Sequence, residues 1–288
     1  MSIFSGTGVA LVTPASNSGI IFSAAEKLLA HVTSGGVDAL IALGTTGEAS
    51  TLTLGQKEEF VRYVRAHSSL PLIVGTGGND TNVVTNLCQQ AQKWGADALL
   101  IVTPYYNKCT QDGALAHYRH IAANVHIPII VYNVPSRTGF NLLPQTMARI
   151  AELPGIVGIK EASGNMAQIQ ECLRIVPADL YCGDDGLTAA SMAMGAKGVI
   201  SVAANTAPAL MSRMTSMALC GNIASAAALQ LRLLPLINAL FAEVNPIPVR
   251  ASLQMLGIDV GDPRLPITEL TAENKAKLRR AMEDLKLL

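Results

Sequence analysis

The 288-residue sequence predicts an α/β fold, a (β/α)8 TIM barrel carrying a C-terminal helical appendage. Three observations lead there. Short apolar runs rich in Val and Ile recur eight times, with starts spaced roughly 20 to 32 residues apart. These runs are apolar throughout rather than alternating, which indicates strands covered on both faces. Stretches of helical spacing lie between them, and eight β-then-α units of this size indicate a closed barrel. A doubly wound open sheet is the alternative, but it usually carries fewer strands and a Gly-rich turn after the first. Here the first strand is followed by TPASNSG, which lacks G-x-G-x-x-G.

The eight predicted strands are GVALVTP (8–14), ALIALGTTG (39–47), PLIVGTG (71–77), ALLIVTPYYN (98–107), PIIVYNVPS (128–136), IVGIKEAS (156–163), LYCGDD (180–185) and GVISVAAN (198–205). Among the helical stretches are SAAEKLLAHVTSGG, LGQKEEFVRYVRAH and NVVTNLCQQAQKWG; the first and last end in Gly, where a helix C-cap is expected. After about residue 206 the strand rhythm stops. Residues 1–205 therefore read as the barrel, and residues 206–288 as its last helix plus a helical extension. No Ser/Gly-rich linker divides them, so both belong to one structural unit.

Composition narrows the function. Half the residues are apolar and 15% are charged, enough for a large core and against global disorder. Basic and acidic residues balance at 21 each, without a Lys/Arg run, which argues against nucleic acid or an anionic membrane as partner. No stretch of about 18 apolar residues escapes polar interruption, so a membrane span is not expected. The five cysteines include no C-x-x-C pair, which favours a reducing compartment. The start, MSIFSGTGVALVTP, has no basic region before its apolar stretch and does not read as a signal peptide. The expectation is a cytoplasmic protein.

In a barrel of this kind the chemistry sits at the C-terminal ends of the strands. Those positions are Thr45 and Thr46, Gly77 and Asn79, Tyr105 and Tyr106, Tyr132, Asn133 and Arg137, Lys160 and Glu161, Asp184 and Asp185, and Asn205. Lys160 stands in an apolar strand. One reading is a lysine paired with Glu161 or an aspartate, although adjacent strand residues point to opposite faces. The other is a Schiff-base nucleophile, because burial disfavours an ammonium and a free amine attacks a ketone. Tyr132 and Tyr106 are either packing aromatics or proton shuttles. GTTGEAST offers successive backbone N–H groups and hydroxyls suited to a carboxylate, and Arg137 suits a second one; an ordinary capping segment and a solvated loop charge are the alternatives.

Other signals point away from metals and nucleotides. His117 and His120 lack a third ligand and read as a surface pair. GDDG (183–186) lacks the spaced oxygens of a calcium loop, and GTGGND (75–80) lacks G-K-[ST]. No metal and no cofactor are expected.

Taken together, GTTGE, TPYYN, YNVPSRTG, GIKEASG, GDD, GVISVAAN and NPIPVR closely resemble the dihydrodipicolinate synthase family, nearly end to end. Single elements are shared with the wider pyruvate-aldolase superfamily, including N-acetylneuraminate lyase, but the arginine of YNVPSRTG favours the synthase. The resemblance implies that Lys160 forms an imine with pyruvate. It implies a proton relay of Thr45, Tyr132 and Tyr106, the last donated by a neighbouring subunit. Thr45 and Thr46 would hold the pyruvate carboxylate, and Arg137 that of L-aspartate 4-semialdehyde. The carbonyls of Gly183 and Ile200 would line the pocket. A homotetramer, built as a dimer of dimers, and a place in diaminopimelate and lysine biosynthesis are also implied.

Many members of that family are inhibited by L-lysine, at a site matched here by Ala49, Ser50, Asn79 and Tyr105. Two histidine positions of that site hold Leu54 and Lys57 instead, and its glutamate position holds Val83. A lost carboxylate and an added lysine disfavour a cationic ligand, so weak or absent lysine inhibition is expected. The rival functions are another Schiff-base aldolase, a keto-acid-binding barrel without catalysis, and a metal-dependent aldolase.

Overall fold

The structure, a computed structural model, describes residues 2–288. Eight parallel strands form a closed barrel: β1 (Gly6–Ala10), β2 (Ala39–Ala42), β3 (Leu72–Gly75), β4 (Ala98–Val102), β5 (Ile129–Asn133), β6 (Ile156–Glu161), β7 (Asp179–Cys182) and β8 (Gly198–Ser201). Six of the eight apolar runs contain one of them whole, and the runs at 8–14 and 180–185 overlap β1 and β7, which begin two residues and one residue earlier. β8 returns to β1 with Gly6 opposite Gly198, and Asn205 reinforces the closure. Its amide donates to the Ala10 carbonyl at 2.8 Å and accepts from the Val12 N–H at 3.1 Å.

The helices of the outer layer are α1 (Phe22–Ser34), α2 (Leu54–His67), α3 (Thr81–Trp94), α4 (Gln111–Asn124), α5 (Pro144–Ala151), α6 (Met166–Ile175), α7 (Thr188–Ala193) and α8 (Pro208–Leu219). Their starts follow local signals. Thr53 and Gln56 make a capping box for α2, Asp80 and Asn165 cap α3 and α6, and Gly95 ends α3 at φ +100°. The C-terminal extension is α9 (Ile223–Leu240), α10 (Ile247–Met255) and α11 (Ala272–Asp284).

Side-chain alternation along the strands divides the core in two. Ile130 and Tyr132 face the barrel interior with Ile41, Ile73, Leu100 and Tyr181. Ile129 and Val131 face the helices. The strands are apolar throughout because both sides are buried.

Three features depart from the sequence reading. A short hairpin, Ala15–Ser16 with Gly19–Ile20, interrupts TPASNSG after β1. His117 is buried, not a surface residue: its Nδ1 lies 2.9 Å from Thr81 Oγ1, and burial lowers its pKa to about 4. Helix α9 does have the length and mean hydropathy, 1.5, of a membrane span. It packs on α8 and α11, and its buried Gln230 donates to the Asp185 carbonyl at 3.0 Å. That is the environment of a core helix.

Candidate active site

Lys160 and Tyr132 stand in register on neighbouring strands β6 and β5 and point to the same, inner face. The Lys160 Nζ lies 4.2 Å from the centroid of the Tyr132 ring. Glu161, next in sequence, points outward. It accepts from Asn133 Nδ2 at 2.9 Å, the Ser163 N–H at 2.7 Å and Gln168 Nε2 at 3.3 Å. The ion-pair reading of Lys160 therefore fails for Glu161: the strand's two-residue period separates the groups, and Lys160, 6% exposed, has no acidic partner within 4.0 Å among the described residues.

Lys160 opens into a cavity of about 380 Å3 at the C-terminal ends of the strands, lined also by Thr45, Thr46, Tyr132, Arg137, Gly183 and Asn245. Gly183 is needed for space, since a Cβ there would stand 3.0 Å from Lys160 Cε and 2.6 Å from the Ala162 Cβ. Ile200 lies in the barrel core beside Tyr132 and does not line the cavity, whereas Val202 does. Asp184 lines the cavity too, and its side chain caps the turn at the Gly186 N–H. Asp185 is fully buried behind it, where Oδ2 accepts from the N–H groups of Val202 and Ala203, both at 3.0 Å. Burial pushes that carboxyl up from its ordinary range.

The carboxylate-binding candidates are held from the C-terminal extension. Thr45–Gly47 forms one 3₁₀ turn after β2, whose first N–H groups have no partner within the turn. Thr46 is buried and its Oγ1 accepts from Asn245 Nδ2 at 3.0 Å, while Thr45 is exposed. The Asn245 carbonyl accepts from Arg137 Nη2 at 3.1 Å. One residue thus touches both groups implicated in carboxylate binding. Glu48 ends the turn in the left-handed region, φ +51°, and pairs with the buried Arg250 at 2.6 Å. Arg250 also donates to the carbonyls of Val260, Gly261 and Asp262. Asn245, Glu48 and Arg250 were not singled out as site residues, although GTTGE and NPIPVR contain them.

Tyr106 stands apart. It is 89% exposed, holds φ +69°, and does not line the cavity. A second cavity of about 350 Å3 adjoins the first, sharing Gly44, Thr45, Tyr132 and Arg137. Of the suspected regulatory positions, Ala49, Ser50, Lys57 and Tyr105 line it. Leu54, Asn79 and Val83 are exposed outside it.

The family model described as the dihydrodipicolinate synthetase family matches residues 3–285. This chain belongs to that family. It is 46% identical over 288 residues to the 4-hydroxy-tetrahydrodipicolinate synthase of Caldicellulosiruptor bescii, covering 99% of this chain and 98% of the relative. The dihydrodipicolinate synthase structure from Thermotoga maritima superposes with a TM-score of 0.98 at 39% identity, covering all of both chains. A lysine-bound structure from Cyanidioschyzon merolae superposes at 0.96 with 38% identity, again over the whole of both chains.

Proposed function

We propose that this chain is a 4-hydroxy-tetrahydrodipicolinate synthase, condensing pyruvate with L-aspartate 4-semialdehyde through an imine on Lys160. The observation that carries the proposal is a buried, unpaired amine over Tyr132, in one cavity with Thr46 and Arg137. The amine attacks the ketone carbon of pyruvate and water leaves. The protonated imine draws electrons from the methyl group, which loses a proton to give an enamine. The enamine carbon attacks the aldehyde, making the new C–C bond and a hydroxyl. The substrate's own amine then displaces Lys160 from the former ketone carbon, closing the ring and freeing the enzyme. The turn at Thr45 and Thr46 binds the pyruvate carboxylate, and Arg137 binds that of the semialdehyde.

The proton relay requires Tyr106 to come from a second copy of the chain. An exposed tyrosine in a strained backbone region, outside its own cavity, supports that reading. The assembly proposed is a homotetramer, a dimer of dimers, in the cytoplasm, acting in lysine and diaminopimelate synthesis without a metal or cofactor.

Borohydride reduction with pyruvate tests the mechanism. Intact-protein mass spectrometry should find one pyruvate adduct per chain in the wild type and none in Lys160→Ala, whose turnover should fall more than about 10⁴-fold. No adduct on folded wild type would remove the imine. L-lysine at submillimolar concentration should leave the rate unchanged, because Lys57 faces the second cavity and no acid lines it among the described residues. Strong inhibition would contradict that assignment.

A further inference from the structure

Three carboxylates stand at the strand ends beside Lys160, and two of them are committed elsewhere. Glu161 points outward to Asn133, Ser163 and Gln168. Asp185 is fully buried and holds the N–H groups of Val202 and Ala203. Asp184 is different. It is half-buried and is the only acid lining the catalytic cavity among the described residues. Its Oδ1 accepts from the Gly186 N–H at 2.9 Å, while Oδ2 has no hydrogen-bond or ion-pair partner among the described residues. The main chain beneath it is fixed. The Asp184 carbonyl accepts from the Leu187 N–H at 3.0 Å and from Cys182 Sγ at 3.1 Å, and the Gly183 N–H donates to the Glu161 carbonyl at 2.7 Å. A free carboxylate oxygen is thus held on a rigid turn, one residue beyond the glycine that lies against the lysine stem.

The proposed substrates carry a charge that this oxygen alone can meet. Their two carboxylates go to the Thr45–Thr46 turn and Arg137, but L-aspartate 4-semialdehyde also bears an α-ammonium. The other charged side chains on the lining, Lys160 and Arg137, repel it. A cation drawn out of water needs an anion or a strong acceptor. Ring closure adds a second requirement, because an ammonium has no lone pair and cannot displace Lys160 until it loses a proton. We propose that Asp184 pairs with the α-ammonium of the semialdehyde and accepts the proton that frees it for ring closure, an assignment that rests on the proposed condensation. The proton passes from the ammonium to Asp184 Oδ2. The neutral amine attacks the imine carbon and forms the new C–N bond. A proton moves from that nitrogen to the Lys160 nitrogen, the C–N bond to Lys160 breaks, and its electron pair leaves with Lys160. The protonated ring imine gives its proton to the freed amine, and Asp184 returns its own to water.

The test compares two semialdehydes on Asp184→Asn, whose amide oxygen keeps the cap on the Gly186 N–H and removes only the charge. Succinic semialdehyde has the same chain and carboxylate but no amine. With aspartate semialdehyde, kcat/KM should fall about 10²-fold. That deficit should shrink as pH rises, because more of the substrate amine is then already neutral. With succinic semialdehyde and pyruvate, borohydride trapping and mass spectrometry should find the condensed adduct on Lys160 forming at the wild-type rate. The pyruvate adduct on the variant should also match the wild type, which shows that it is folded. Unchanged kcat/KM with aspartate semialdehyde overturns the assignment and leaves Asp184 a turn cap. An equal loss with both aldehydes overturns it too, since the amine would then not be what Asp184 meets. If the wild type forms no pyruvate adduct, the imine is removed and this assignment with it; an adduct without the difference between aldehydes removes the role of Asp184 alone.

Discussion

The inner and outer halves of the candidate site are built differently. On the inner half, Lys160, Thr46 and Gly183 occupy positions that the chain determines by itself. Strand register sets Lys160 over Tyr132, Asn245 holds Thr46, and the absence of a Cβ at residue 183 leaves room for the lysine stem. On the outer half, Thr45 and Tyr106 are exposed, and Tyr106 carries backbone strain without a packing partner to hold it. The difference teaches that one chain can build the lysine pocket by itself, whereas the proposed proton transfer through Tyr106 depends on assembly.

The largest expected effect concerns the anchor of the inner half. Glu48→Gln leaves Arg250 buried without its anion and releases the strained end of the Thr45–Gly47 turn. Stability should fall by about 3–5 kcal/mol, read from denaturant melts. A loss near zero would show that the carbonyls of residues 260–262 suffice to hold Arg250, and that the turn is fixed by something else.

Next is the outer half. Tyr106→Phe should lower kcat by about 10²-fold, the scale of one lost proton-transfer group, without lowering the melting temperature. The pyruvate adduct on Lys160 should still form. If adduct formation fell in the same proportion as turnover, the division into two halves would be wrong.

What could be read in advance follows from the range of the signals. Continuous apolar runs revealed all eight strands because burial on both faces leaves a purely local trace. The two-residue strands at Ala15 and Gly19 have no periodicity to detect. Lys160, Tyr132, Thr45, Thr46 and Arg137 were legible as strand-end residues, and they do line one cavity. The supporting residues were not. Asn245 meets Thr46 across 199 positions of sequence, and Arg250 meets Glu48 across 202. Spacing within a motif cannot report such pairings. His117 makes the same point, since the three-residue step to His120 fixes a common helix side but not the burial of one residue against Thr81.

The smallest effect tests where the halves join. Asn245 uses its side chain on Thr46 and its main chain on Arg137, so truncation separates the two contacts. In Asn245→Ala the Thr46 hydroxyl loses its amide donor while the carbonyl facing Arg137 remains. One lost hydrogen bond corresponds to roughly a three- to tenfold change. The KM for pyruvate should rise by that factor, with kcat and the KM for the semialdehyde nearly unchanged. Steady-state kinetics with each substrate varied in turn gives the split. An equal rise in both KM values would mean that the segment at Asn245 moves as one piece, and that the two carboxylate sites are positioned together instead of one by one.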